Sequence, residues 1–199
     1  MQVRLPTEAR QAEIVAAALH LARESSPALI TTSDIAAAVG VSQGAVFKHF
    51  PTKDAIWVAA MHWVREELLH SLQSAAAAAV TPLGALSGIF QAHVAFVVTH
   101  PGVPRVIFHE LQQPADSATK QEVRAVLQGY RKLLLGVLAE AGRQGQVRAD
   151  LDQEAAVTTF VGLIQGLVMQ SMLTGRPVTM RQQAVPVFDL YLHALGAAR

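Results

Sequence analysis

The chain has 199 residues, of which 51% are hydrophobic and 16% charged, with a formal net charge of +1 and no cysteine. That balance excludes a disordered chain and a polybasic coat protein, and the missing thiols exclude disulfides, thiolate metal centres and thiol redox switches. Residues 1–60 hold five Lys or Arg against five Asp or Glu, so any contact with nucleic acid has to come from a local strip rather than a global field.

Met1–Leu5 reads as a short arm carrying Arg4. No apolar run follows Met1, which predicts no leader peptide and a cytoplasmic protein. Pro6 and Thr7 open a first helix, with Thr7 as its cap and Ile14, Ala17, Ala18, Leu21 and Ala22 as its buried stripe. Arg4 and Arg10 are placed to approach a phosphate backbone or to remain solvated. Pro27 ends this region, and Leu29 and Ile30 close a small core.

Thr31–Asp54, TTSDIAAAVGVSQGAVFKHFPTKD, reads as two short helices joined by a tight turn. Thr32 is the expected N-cap, Ile35, Ala36 and Val39 recur at helical spacing, and Gly40 supplies the positive φ that the turn requires. Val41 and Val46 face the angle between the helices, which is a helix-turn-helix pattern. The second helix, expected over Gln43–His49, is small or polar on its outer side. A helix meant for a core would not be; one meant for a major groove would, because Gln pairs with adenine edges and short residues let the backbone approach the bases. The expected DNA-contacting set is Thr32, Ser42, Gln43, Gly44, Ala45, Phe47, Lys48, His49 and Lys53. Thr52 caps the next helix, and Lys53 at its positive end makes sense if a phosphate also sits there.

This stretch resembles the DNA-binding domain of TetR-family transcriptional regulators. Those end the recognition helix in an aromatic-x-His-Phe motif followed by a Lys at the start of helix four, here Phe47-Lys48-His49-Phe50 and Lys53. Ser25-Ser26-Pro27 stands where the family usually has a Gly, Ala45 where it often has Thr or Ser, and Phe47 where it often has Tyr. The resemblance implies an N-terminal helix-turn-helix domain, 1–52, and a C-terminal ligand-binding and dimerisation domain, 53–199. About nine helices are expected in all, with a long helix over 53–79 linking the two domains.

Beyond Pro82 the pattern is helical throughout, so the fold class is all-α. Helices are predicted over 82–99, 104–111, 118–143, from the Asp152 cap to 173, and over 180–195. His100-Pro101-Gly102, Gln112–Ser117, Gly142 to Gly145 and Gly175-Arg176-Pro177 mark the breaks. The turn Gly145–Leu151 also resembles the family's approach to helix eight.

Two uncharged runs bear on membranes. Ser71–Pro104 is broken by Pro and Gly. Ala155–Gly175 has the length of a span and places Gly162 and Gly166 in GxxxG spacing, yet it holds Gln165 and Gln170, which are costly in lipid. Burial on most of its circumference against a partner chain fits better, and no membrane association is expected. The resemblance implies a homodimer through a four-helix bundle of the last two helices, here with Gly162, Gly166, Phe188, Tyr191 and Leu192. It also implies an apolar cavity between the fifth to eighth helices, with candidate lining residues Trp63, Phe90, His93, Val97, Phe108, Tyr130, Leu134, Phe160 and Met169. Few inward positions are charged, so a small, largely apolar effector is expected.

His93, His100 and His109 fall in one region but without tight ligand spacing, so neither a metal site nor a cofactor is expected. No GxSxG elbow, HExxH or phosphate-binding Gly loop occurs, and no catalytic residues are assigned. The reading is a ligand-responsive regulator, most simply a repressor, that binds a palindromic double-stranded operator as a homodimer. A helical adaptor or an enzyme that keeps the fold without binding an operator is the alternative.

Overall fold

The structure is a computed structural model that describes residues 6–176 and 179–196. The arm with Arg4, and Pro177 of the expected last turn, lie outside the described residues. Nine α-helices and no strand occur among the described residues: α1 Thr7–Leu21, α2 Thr32–Val39, α3 Gln43–Phe47, α4 Lys53–Ala77, α5 Pro82–Thr99, α6 Gly102–Gln112, α7 Ala118–Arg143, α8 Gln153–Thr174 and α9 Thr179–Ala194.

The helix ends follow local chemistry. Asp152 caps α8, its Oδ1 accepting from the amides of Glu154 and Ala155 at 3.0 Å each, and Gly175 closes that helix at φ 65°. Two expected caps are corrected. Pro6 takes the N-cap of α1 with no side-chain bond, so Thr7 is already helical. Thr31, not Thr32, caps α2: its Oγ1 accepts from the Asp34 amide at 3.1 Å, while Asp34 Oδ2 accepts from the Thr31 amide at 2.8 Å. This capping box satisfies two orphan donors at once, which a cap at Thr32 would not.

The chain divides into two compact units. The first is the chain up to Arg65 together with His100–Ala125; the second is Glu66–Thr99 with the chain from Val126 onward. The helix-turn-helix segment therefore shares its unit with α6 and the first turns of α7, whereas the motif alone suggests a division at residue 52. In the first unit Ile14, Ala18, Ile35, Val46, Ile56 and Met61 are fully buried or nearly so. There α6 crosses α1 at Gly102, where an added Cβ would stand 2.0 Å from the Leu19 carbonyl oxygen.

In the second unit α5, α8 and α9 pack on one another. Their rings form the centre: Phe90 lies 4.8 Å from Phe188 and 5.3 Å from Phe160, and Phe160 lies edge-on to Tyr130 at 6.0 Å and to Tyr191 at 5.4 Å. Such pairs add about 0.5–1.5 kcal/mol each beyond the area they bury. α5 and α8 are long and apolar enough to cross a membrane by length and composition, and both pack against α9.

Candidate nucleic-acid interface

The turn between α2 and α3 is built from a glycine in the left-handed region. Gly40 has φ 73°, its amide donates to Ala37 O at 3.1 Å, and the Val41 amide donates to Ala36 O at 2.9 Å. This 6→1 and 5→2 pair closes α2 and turns the chain into α3. Ser42 then caps α3, its Oγ accepting from the Ala45 amide at 3.2 Å. Val46 is fully buried and Phe50 nearly so, which pins α3 on the bundle by one face and leaves the opposite face free.

That free face carries Gln43, Gly44, Phe47 and Lys48, all exposed, with Ala45 half-exposed. Phe47 keeps 45% of its surface open although it is a large apolar ring. At Gly44 nothing lies within 4 Å of where a Cβ would stand, so the backbone can be approached closely from outside. Gln43 is oriented from within: its Nε2 donates to Thr32 Oγ1 at 2.8 Å. Thr32 is thus buried at the first turn of α2 and holds the carboxamide of Gln43, a role its sequence position does not reveal.

The structure revises two expectations for this region and gives a second reason for a third residue. α3 stops at Phe47, so Lys48 is its C-cap and His49 lies past its end. His49 turns inward: its Nδ1 is buried without a hydrogen-bond partner among the described residues, and its carbonyl accepts from Gln11 Nε2 at 3.3 Å. Lys53 is the third. Its Nζ donates to the carbonyls of Ala28 and Ile30 at 3.1 Å each and of Pro27 at 3.4 Å, and an ammonium has three protons to give. The cation at the start of α4 is therefore accounted for by the α1–α2 connection, and no phosphate is needed to explain it. Thr52 does cap α4, its Oγ1 accepting from the Ala55 amide at 3.1 Å. The amide and then the hydroxyl of Thr31 donate to the Asp34 carboxylate and hold its pKa below the ordinary value. Asp34 and Gln11 escaped the sequence reading, although Thr31-x-x-Asp34 is a legible capping signature.

The expected effector-lining residues are divided between the two units. Phe90, His93, Val97, Tyr130, Leu134 and Phe160 belong to the second unit, where Phe90, Tyr130, Leu134 and Phe160 are filled core. His93 Nδ1 shares a hydrogen bond with the Tyr130 hydroxyl at 3.2 Å. Burial lowers the His93 pKa to about 4 and, with the nearby Tyr191, raises that of Tyr130. Trp63 and Phe108 belong to the first unit, Trp63 lying edge-on to His100 at 5.2 Å. Met169 is 46% exposed on α8 and faces away from the core.

Of the expected dimer contacts, Gly162 and Gly166 lie on the exposed side of α8 and Leu192 is half-buried. Phe188 and Tyr191 are each only 3% exposed, and the Tyr191 hydroxyl donates to Ala156 O at 3.0 Å. Both fill their own protomer's core, because α9 needs an apolar face for α5 and α8 before it can offer one to a partner. Among the described residues no group of three or more His, Asp or Glu could hold a metal ion.

The family model described as bacterial regulatory proteins, tetR family, matches residues 14–60, and the tetracyclin repressor-like C-terminal domain matches residues 112–185. Together they cover more than half of the chain. A curated relative, the nucleoid occlusion factor SlmA of Idiomarina loihiensis, is 22% identical over 161 residues, which is 81% of this chain and 82% of the relative. Among solved structures, the fatty acid degradation regulator FadR from Bacillus halodurans superposes with a TM-score of 0.84 at 21% identity, over 99% of this chain and 100% of that one. The transcriptional regulator FadR from Bacillus subtilis, in complex with stearoyl-CoA, gives 0.80 at 20% identity, over 91% and 97%. At these identities the structural likeness establishes the fold.

Proposed function

This chain belongs to the tetR family of bacterial regulatory proteins, and from that premise we propose that it is a ligand-responsive repressor that binds a near-palindromic operator as a homodimer. The observation that carries the reading is the outer face of α3. It presents a glutamine held by Thr32, a bare glycine, an open phenylalanine and a lysine with no ion pair among the described residues, and no core needs that combination outside. Gln reads adenine edges, Phe47 meets a thymine methyl or a sugar, and Lys48 meets phosphate.

One short helix contacts too few bases to be selective, and two related by a dyad read successive major grooves. Support for the dimer comes from α8 and α9, whose outer faces leave Met169, Leu173, Val185 and Leu190 between 46% and 74% exposed. Apolar surface of that extent marks a contact face. A cytoplasmic location follows from the regulatory role.

The effector of this reading is small and largely apolar, a view supported by the apolar second unit and by the stearoyl-CoA bound to the Bacillus subtilis FadR. It acts by binding one arrangement of the subunits better than the other, and an effector with equal affinity for both would release nothing. The test is a mobility shift with the DNA upstream of the protein's own gene. A retarded band that weakens steeply with salt supports the reading; no retardation at any ionic strength sinks it. The likeness to a nucleoid occlusion factor favours a second reading, in which the DNA-bound protein acts on something other than transcription. Chromosomal sites clustered at promoters support the first, and sites scattered without regard to promoters support the second.

A further inference from the structure

We propose that the groove between the end of α4, the start of α5 and the second half of α7 binds one small amphiphile, a linear aliphatic chain that ends in a carboxylate. The groove lies wholly within the second unit, is open to solvent along one side and has a volume of about 620 Å³, within the range of small-molecule sites. Its apolar walls are Ala76 of α4, Ala79 of the α4–α5 connection, Pro82 and Ala85 of α5, and Leu133 and Val137 of α7. These side chains are aliphatic and include no aromatic ring, while Gln73, Thr81 and Gln144 add polar groups to the lining. They suit a slender chain rather than a flat polycycle.

Two glycines of α7 face this side, and one of them borders open space. Gly129 and Gly136 are seven residues apart, so they lie on one face two turns from each other. At Gly129 an added Cβ would stand 2.6 Å from Leu69 Cδ1, so the Leu69 side chain of α4 would have to turn aside to admit one. At Gly136 an added Cβ would meet nothing within 4 Å. A glycine inside a helix weakens it relative to alanine, and no neighbour in the folded chain requires this one. What it does is leave one side of the groove unfilled.

The rim supplies the polarity of the ligand. Glu140 is occupied, bonded to Arg143 and accepting from Gln144 Nε2 at 2.7 Å. Arg131, next to the groove in sequence, is paired with Glu154. Lys132 lines the groove, is exposed, and makes no ion pair among the described residues. The rim therefore offers a cation and no uncompensated anion, and the head group it fits is an anion. The site is distinct from the ring cluster of Phe90, Phe160, Phe188 and Tyr191, whose members fill one another's space.

As a binding site the groove stands on its own geometry; as the place where an effector acts it rests on the regulatory reading above. Calorimetric titration of the full chain with decanoate, and with decanol as the uncharged control, tests it below the micellar range of either. One decanoate per chain is expected. Lys132→Ala should weaken decanoate by up to about fivefold, the worth of an exposed ion pair, and leave decanol unchanged. Gly136→Phe, which fills the groove from a position with room for a side chain, should weaken both at least about tenfold with no loss of thermal stability. If that variant misfolds, Ala76→Leu, which narrows the groove from the α4 wall, is read in its place by the same criterion. Undiminished decanoate binding to the filled groove, no binding to the wild-type chain, or equal losses of decanol and decanoate in Lys132→Ala would overturn the proposal. Decanoate that binds in the groove without releasing DNA would leave the site standing and overturn the effector reading alone.

Discussion

Gly102 and Leu19 touch backbone to backbone. A Cβ on Gly102 would stand 2.0 Å from the Leu19 carbonyl oxygen and 3.2 Å from the Arg23 amide nitrogen, and neither is the yielding end of a side chain. The start of α6 is thereby seated on the end of α1, inside the unit that contains the helix-turn-helix segment. Any displacement of α6 must carry α1 with it or break this crossing.

Gly102→Ala is accordingly expected to destabilise the protein by about 2–3 kcal/mol, at the upper end of what overpacking costs. For a chain of this size each kcal/mol is about 2–4 °C, so the melting temperature should fall by roughly 4–12 °C. Thermal unfolding followed by circular dichroism reads this directly. An unchanged melting temperature would mean that α6 does not sit where it is described.

The pairing of Gln43 with Thr32 makes a separate expectation, about selectivity. Thr32 Oγ1 takes one amide proton of Gln43 at 2.8 Å, which fixes the plane of the carboxamide on the exposed face of α3. Gln43→Ala should change base preference at one operator position by about 1–3 kcal/mol of discrimination. Thr32→Val frees the carboxamide and should blur the preference at that same position without removing it. Selection from random DNA with the three proteins reads both. If Thr32→Val leaves the preferred sequence as sharp as before, the pair is structural only.

Much of this was legible in sequence, and what was not divides cleanly by range. The bounds of α5 and α7 are those read from Pro82, His100, Ala118 and Arg143, because helix ends are local chemistry. The cap of α2 was misplaced by one residue between Thr31 and Thr32, although Asp34 three residues after Thr31 decides it. Periodicity places Phe188 and Tyr191 on an apolar face of α9 but cannot say whether that face meets its own α5 and α8 or a partner's. The crossing of Gly102 on Leu19 and the bonds from Lys53 to the α1–α2 connection join residues far apart in sequence, and the hold of Thr32 on Gln43 spans two helices. No local signal announces them.

His93 predicts an acid-sensitive core. Its folded pKa is lowered by burial to about 4 from an ordinary 6.5, so below pH 6.5 the unfolded chain binds a proton that the folded chain refuses. Stability from this residue is fully present above about pH 6.5 and is lost progressively as pH falls through 4. The shift corresponds to roughly 3–4 kcal/mol when complete. Urea unfolding at stepped pH should show that decline, and His93→Gln should remove it between pH 6.5 and 4 while costing stability at neutral pH. Parallel pH curves for the two proteins would place the acid sensitivity elsewhere.

Lys53 and Lys48 are expected to behave differently, the first as a structural cation and the second as the proposed phosphate contact. Lys53 spends its three protons on Pro27, Ala28 and Ile30, whereas Lys48 is exposed at the end of α3 with no ion pair among the described residues. Lys53→Ala should therefore cost about 1 kcal/mol of stability by leaving the connection unpinned, and weaken operator binding without changing its dependence on salt. Lys48→Ala should leave the melting temperature alone and reduce the slope of log affinity against log salt by about one. Each lysine is read twice, by thermal unfolding and by mobility shifts at several salt concentrations. The two variants should exchange signatures completely: stability without slope for one, slope without stability for the other. A reduced slope in Lys53→Ala would show that DNA draws this ammonium off the carbonyls, and that the α1–α2 connection is released whenever the operator is bound.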